Sequence, residues 1–380
     1  MLFNRVILVI LILGFTLSSC RKDPVISPLD EPIDSVALYV PDLPDQLFDY
    51  ESITFPDHFQ NDPLLNLLIN FNSGNPITNE GATLGRVLFY DKNLSANNTI
   101  SCASCHHQDK AFSDGQQFSA GFNGGHTKRN SMHLVNLEYQ RDFFWDERAN
   151  TIEEQVLMPI QDTIEMGMDL NILTNKLSAL TYYPKLFFDA FGDSVITADH
   201  IRDALGQFVR SIRSYRTKYD KGVPVDFSNF STLENEGREL FFSGQFRCNN
   251  CHISQNFGGT SNEINGLDIN YADQGIGVIT GNPEDMGLFK TVSLRNVELT
   301  APYMHDGRFT TLIQILNFYD GNIQPHAYLD DRLTSDVNTG GPPIDFNMSD
   351  HEKEALIAFL RTLTDWELIN DPWYSNPFPW

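Results

Sequence analysis

The sequence is poor in positive charge, in strand signals, in long apolar runs and in cysteine, and each shortage narrows what the protein can be. Lysine and arginine number 26 against 50 aspartate and glutamate, for a formal net charge of −24. A surface so acidic does not neutralise phosphates, which argues against nucleic acid as a partner and for a cationic protein instead. Strand-like alternation is scarce, so the chain reads as mainly helical. Beyond the amino terminus no apolar run is long enough to cross a bilayer. The 5 cysteines leave no disulfide to build, because the spacing gives each of them another use.

Four of them stand in Cys102-Ala103-Ser104-Cys105-His106 and in Cys248-Asn249-Asn250-Cys251-His252. Cys-x-x-Cys-His is the attachment signature of c-type haem. Two sulfurs on one turn meet the two vinyl groups of one porphyrin, and the adjacent imidazole is placed to ligate its iron. Zinc ribbons and redox dithiols also use Cys-x-x-Cys. A ribbon, however, pairs its two units within roughly 15–20 residues. These two lie far apart and each carries the same following histidine. The expectation is two covalent haem c groups, with His106 and His252 as iron ligands.

The fifth cysteine belongs to the amino terminus. Residues 1–19 read as a secretory signal, with Arg5 before the apolar run Val6 to Leu13 and small residues at Ser18 and Ser19. Leu17-Ser18-Ser19-Cys20 is similar to a bacterial lipobox, which makes Cys20 the expected site of lipidation. Residues 20–50, rich in Pro and Asp, read as a tether between a membrane and the folded body. The expected location is the periplasm or cell envelope, with the lipid as the only membrane contact.

An internal echo divides the remainder. Glu80-Gly81-Ala82-Thr83-Leu84-Gly85-Arg86-Val87-Leu88-Phe89 precedes the first haem motif, and Glu236-Gly237-Arg238-Glu239-Leu240-Phe241-Phe242 precedes the second. The expected units are 51–220, a linker over 221–230, and 231–380 with a carboxyl-terminal extension. Thr78 and Thr232 are the expected N-caps of the two echoing helices. Further helices are expected at Thr151–Leu157, at Thr197–Tyr219 with Ile201, Leu205, Phe208, Val209 and Ile212 on one stripe, and at Ser349–Leu363 behind a Ser349/Glu352 capping box. Residues 256–281 and 338–347 read as long loops.

Two haems alone suit a carrier as well as an enzyme, so the residues between the motifs decide. They include Arg129-Asn130-Ser131, Phe144-Trp145-Asp146, Glu153-Glu154-Gln155, Met158-Pro159-Ile160 and Glu165-Met166-Gly167. With these, with Leu84-Gly85, Leu88-Phe89 and Leu94-Ser95, and with Leu294-Arg295-Asn296-Val297 through Tyr303-Met304-His305-Asp306-Gly307, the chain resembles the bacterial di-haem cytochrome c peroxidases. It equally resembles their relative MauG, the enzyme that matures tryptophan tryptophylquinone. The resemblance runs from about Gly81 to Leu363.

That resemblance implies two cytochrome c-like domains meeting at a haem-to-haem interface, a peroxidatic haem in the first and an electron-transfer haem in the second. It implies hydrogen peroxide as substrate and a small cytochrome c or cupredoxin as donor, to the chain alone or as a homodimer. Glu165 looks like the carboxylate that moves a proton between the peroxide oxygens, with Gln155 beside it and Pro159 flanking the open iron face. Trp145 looks like the relay between the haems. Asn130, Thr300 and Pro302 match the positions that hold a calcium ion between the domains through oxygen ligands.

Two positions depart from the peroxidase pattern. Where many of these enzymes carry a loop histidine that caps the first iron, this chain has Phe122, with His126 as the alternative. A phenyl ring cannot ligate, so a first haem open without reductive activation is expected. Where they carry a methionine on the second iron, the register falls on Tyr319, as in MauG, with Met286 and Met304 as alternatives. A phenolate is a hard anionic donor and lowers the potential relative to His/Met ligation. The leading expectation is therefore a di-haem peroxidase, the alternative a MauG-like oxidase that spends peroxide on a protein or organic substrate. A non-catalytic electron carrier or sensor is the third reading.

Overall fold

A computed structural model describes residues 40–52, 54–69, 74–258, 262–337 and 341–379. The expected signal, Cys20 and most of the expected tether lie outside the described residues. Helices are α1 Asp57–Gln60, α2 Pro63–Leu68, α3 Asn79–Tyr90, α4 Ile152–Gln161, α5 Leu170–Ser178, α6 Tyr183–Phe191, α7 Ala198–Ser211, α8 Lys218–Gly222, α9 Thr232–Phe242, α10 Gly277–Thr280, α11 Leu312–Tyr319 and α12 Asp350–Arg361. The one sheet among the described residues is a two-residue antiparallel pair, β1 Asn262–Glu263 with β2 Phe289–Lys290. No helix among the described residues is long and apolar enough to cross a membrane.

The architecture is built twice. In the first half α3 crosses α7 at Gly85, where a Cβ would lie 2.0 Å from the Ala204 carbonyl oxygen. In the second half α9 crosses α12 at Gly237, where a Cβ would lie 1.8 Å from the Ala355 carbonyl oxygen. Only glycine lets each pair of backbones touch, which is why both echoing helices carry one. Phe208 and Phe359 fill the same place beside these glycines, and each is fully buried.

A second duplication extends further. One constant offset, without a gap, carries 131–160 onto 291–320, with Leu134/Leu294, Asn136/Asn296, Glu138/Glu298, Asp146/Asp306, Arg148/Arg308 and Thr151/Thr311 identical. The backbone follows. Asn136 and Asn296 take φ of 56° and 61°, and Phe144 and Met304 take 71° and 73°. Each asparagine uses its side-chain oxygen to accept a backbone N–H after its half's long helix, from Ser214 at 2.7 Å and from Asp365 at 2.7 Å. Thr151 and Thr311 then cap α4 and α11.

Several sequence expectations need correction. Ser231, not Thr232, caps α9, because its hydroxyl and the Glu234 carboxylate close a capping box. Helix α4 does not stop at Leu157; it runs through Pro159 to Gln161. Helix α7 ends at Ser211, and Tyr219 belongs to the separate helix α8. The expected linker 221–230 is structured, since Lys221 and Gly222 close α8 and Phe230 is buried.

The two chain ends also differ from expectation. Residues 40–50 are not free tether: Tyr50 is fully buried, Phe48 stacks on Trp373 at 5.6 Å, and Asp42 N–H donates to Pro377 O at 2.7 Å. Nor does the carboxyl-terminal extension stay with the second half. Leu368, Tyr374 and Phe378 join the apolar core of the first half, and Tyr374 donates its hydroxyl to Ser211 O at 2.7 Å. Aromatic area decides both cases, since Phe48, Tyr50, Trp373, Tyr374 and Phe378 bury enough surface to hold segments whose Pro and Asp content suggests a linker.

Candidate functional site

Each Cys-x-x-Cys-His folds into one tight turn, Cys102–Ser104 and Cys248–Asn250, followed by the histidine N–H donating back to the first cysteine's carbonyl at 3.0 Å in both copies. The chain then curls left-handed at Phe112 (φ 62°) and Phe257 (φ 51°), which turns a carbonyl onto the imidazole. His106 Nδ1 lies 2.8 Å from Phe112 O and His252 Nδ1 lies 3.2 Å from Phe257 O. With Nδ1–H donating, the Nε2 lone pair of each ring is left for a metal. Withdrawal from water pushes both imidazoles toward the neutral, ligating form, His252 to about 4.

The thiols are not those of a redox dithiol. Burial pushes Cys102, Cys248 and Cys251 up to about 12 and Cys105 up to about 11, and none is in a disulfide. A catalytic thiol is shifted the other way. Nor do the described residues contain a group of three or more His, Cys, Asp or Glu that could hold a metal ion, as a zinc ribbon would. A cavity of about 240 Å³ opens beside the second motif, walled by Cys248, Cys251, His252, Leu316 and Tyr319. Two sulfurs, one oriented imidazole and an apolar wall fit a covalent haem.

Helix α4 carries Gln155 and Pro159 one turn apart, both half-buried. Asp162 caps its carboxyl end and folds the next turn, its Oδ1 accepting from Ile164 N–H at 2.8 Å and Glu165 N–H at 3.1 Å. Burial, and then the Asp162 charge, push the Glu165 carboxyl up to about 7, while Arg148 opposes them. The Glu165 charge in turn adds to the rise of both Cys102 and Cys105.

Phe122 is locked onto that turn. Its N–H donates to Glu165 O at 3.0 Å, and its carbonyl accepts from Asn97 Nδ2 at 2.6 Å. Its ring covers Gly167, which stands at φ +63° and has room for no Cβ: one would lie 2.4 Å from the ring. His126 pairs its backbone with Ala120 and exposes its side chain.

Between the two halves, equivalent residues clasp one another. Asn130 N–H donates to His305 O at 2.7 Å, and Lys290 N–H donates to Trp145 O at 3.1 Å. The Trp145 indole donates to Asn130 O at 2.9 Å and meets the His305 ring edge-on at 6.5 Å. His305 stacks on Phe289 at 3.8 Å. Buried Asp146 pairs with Arg129 at 2.5 Å and Arg148 at 2.8 Å, and Arg129 reaches Asp273 of the second half at 2.6 Å. Sequence reading assigned no role to His305, Asp146 or Asp273. The unbroken offset between 131–160 and 291–320, which makes His305 the counterpart of Trp145, was the available signal.

Asn130, Thr300 and Pro302 share the wall of the cavity beside the second motif with Trp145. The Asn130 amide donates to Gln116 O at 2.9 Å. Tyr319 and Met304 line the same cavity, whereas Met286 packs on Gly277 and is not part of that lining. Burial raises the Tyr319 phenol pKa.

Comparison with known proteins places this geometry. The profile described as "Di-haem cytochrome c peroxidase" matches residues 79–226. The methylamine utilization protein MauG of Methylophilus methylotrophus is 32% identical over 294 residues, 76% of this chain and 84% of that one. The cytochrome c551 peroxidase of Nitrosomonas europaea is 31% identical over 287 residues, 74% of this chain and 79% of that one. The crystal structure of a MauG-like protein associated with microbial copper homeostasis superposes with a TM-score of 0.73 at 33% identity, covering 81% of this chain and 95% of that one.

Proposed function

The chain belongs to the family of di-haem cytochrome c peroxidases and MauG, and from that premise we propose that it reduces hydrogen peroxide to water with two electrons from a small redox protein. When bound, the two haem groups supply the redox chemistry, peroxide cleavage in the first half and electron entry in the second. The remaining work falls to this chain's own side chains.

The observation that carries the reading is the Glu165 carboxyl, half-buried on the turn that follows α4 and pushed up to about 7, with its charge felt at Cys102 and Cys105. A carboxyl near neutrality can take the proton from the inner peroxide oxygen and return it to the outer one, which leaves as water. Gln155, with Pro159 a turn away, orients the peroxide. The counterpart of Pro159 in the second half is Tyr319, so the first half would offer its haem no ligating side chain at this position and the second half would offer a phenol. Trp145, clasped by Lys290 and Asn130, carries electrons between the halves. Asn130, Thr300 and Pro302 hold calcium between them, and Cys20 carries a lipid that keeps the enzyme at the cell envelope. Two haem domains organise these parts.

Phe122 and Tyr319 favour a second reading, in which peroxide serves to oxidise a protein or organic substrate, as in MauG. Steady-state turnover with a reduced small cytochrome selects the first; slow turnover with long-lived oxidised haems selects the second.

The test is the electronic and electron paramagnetic resonance spectrum of the oxidised protein, before and after one equivalent of hydrogen peroxide. One high-spin haem that reacts at once supports an open first site. Two low-spin haems inert until reduced would show that a ligand such as His126 caps the first iron, and Phe122 would then have been misread.

A further inference from the structure

Asn265 lies in the wall of the cavity beside the second motif, and its hydrogen bonds fix which way its amide points. Its Oδ1 accepts from Leu267 N–H at 3.1 Å and from the Tyr271 hydroxyl at 3.2 Å. Leu267 N–H also donates to the Tyr271 oxygen at 2.9 Å, which leaves the hydroxyl proton free to point at Asn265. Exchanging the amide oxygen and nitrogen would set donor against donor, so the orientation is determined.

Nδ2 is therefore the atom presented to the other residues of the wall. It donates to Met304 Sδ at 3.7 Å, and the Tyr319 phenol lies in the same wall. These are the thioether and the phenol that line the cavity with His252 and could complete the coordination of an iron there. A sulfur lone pair occupied by an N–H is less available to a metal.

We infer that Asn265, held by Tyr271, is the positioning residue that selects Tyr319 over Met304 as the sixth ligand of the second haem. This rests on the placement of Tyr319 in the proposed function. Because His/Met ligation raises the potential of a haem and an anionic oxygen lowers it, the selection sets how readily the second haem gives up electrons.

The experiment uses the protein with both haems and compares it with Asn265→Leu, Tyr319→Phe, Tyr271→Phe and the double variant Asn265→Leu/Met304→Leu. The readouts are the electron paramagnetic resonance and near-infrared spectra of the oxidised protein and the midpoint potential of the second haem. Asn265→Leu is expected to raise the share of His/Met-ligated haem about tenfold, the effect of losing one hydrogen bond, and to raise the potential. Met304→Leu on that background is expected to abolish the His/Met signal. Tyr271→Phe, which leaves the cavity wall intact, is expected to give a smaller shift in the same direction and keeps the test open if Asn265→Leu does not fold. If Tyr319→Phe changes the spectrum while Asn265→Leu and Tyr271→Phe leave spectrum and potential unmoved, the selection by Asn265 is overturned with the tyrosine ligand intact. If Tyr319→Phe itself changes nothing, the ligand reading has failed, and the inference falls with it.

Discussion

Pro159 and Tyr319 occupy one position of a duplicated motif: each is the eighth residue of a helix whose first turn is capped by a threonine, Thr151 or Thr311. A pyrrolidine ring offers no donor atom, whereas a phenol does. The two halves thus share a backbone here and place different chemistry at this one position. Exchanging that side chain tests the point. Pro159→Tyr is expected to put a phenol on the first haem, convert its high-spin signal to low-spin, and abolish the fast reaction with peroxide; an unchanged spectrum would separate the two positions.

Glu165→Gln is expected to slow the reaction with peroxide by roughly 10²- to 10⁴-fold, the usual contribution of a positioned proton-transfer group. In the wild type the acceptor form is the carboxylate, so the rate should rise with pH through about 7, the value that burial and Asp162 impose against Arg148. Stopped-flow rates from acid to alkaline pH check both, since the glutamine variant should lack that limb.

Gly167 and Phe122 are coupled through space. Gly167→Ala places a Cβ 2.4 Å from the Phe122 ring and a non-glycine residue at φ +63°, which together should cost about 2 kcal/mol or more. Adding Phe122→Ala should recover the steric part and leave the backbone part of about 1–2 kcal/mol. A double-mutant cycle by chemical denaturation measures the coupling, and strictly additive effects would contradict the contact.

Arg295 is fully buried and holds Asp220 through two bonds of 2.9 Å, with His58 on the same carboxylate at 2.9 Å. Burial alone would raise the Asp220 pKa, but the Arg295 charge and the hydrogen bonds from His58, Arg295 and Thr217 outweigh it and hold the carboxyl well below the usual range. A depressed acid contributes stability that is complete above its unfolded value of about 3.9 and is lost as pH falls toward the folded value. Asp220→Ala leaves the guanidinium buried and unpaired, which should cost roughly 3–5 kcal/mol at neutral pH and flatten the acid limb of stability. Thermal unfolding across pH 2 to 7 checks it.

Much of this was legible in the chain alone. The spacing of the two Cys-x-x-Cys-His motifs, the glycine in each echoing helix and the run from Arg129 to Glu165 are local or constant-spacing signals, and covalent attachment and helix periodicity depend on nothing else. The sequence by itself determined the mainly helical class, the pair of attachment sites and the family. What it could not determine were relations made by residues far apart. Phe48 and Tyr50 looked like tether until Trp373 was placed against them, and the carboxyl-terminal segment joined the first half because that half's core offered its aromatic rings a surface. The clasp of Asn130 on His305 and Lys290 on Trp145, the near-neutral pKa of Glu165, and the fixed orientation of the Asn265 amide all depend on which groups are excluded from water together. Burial is a property of the packed chain, and no spacing along the sequence specifies it.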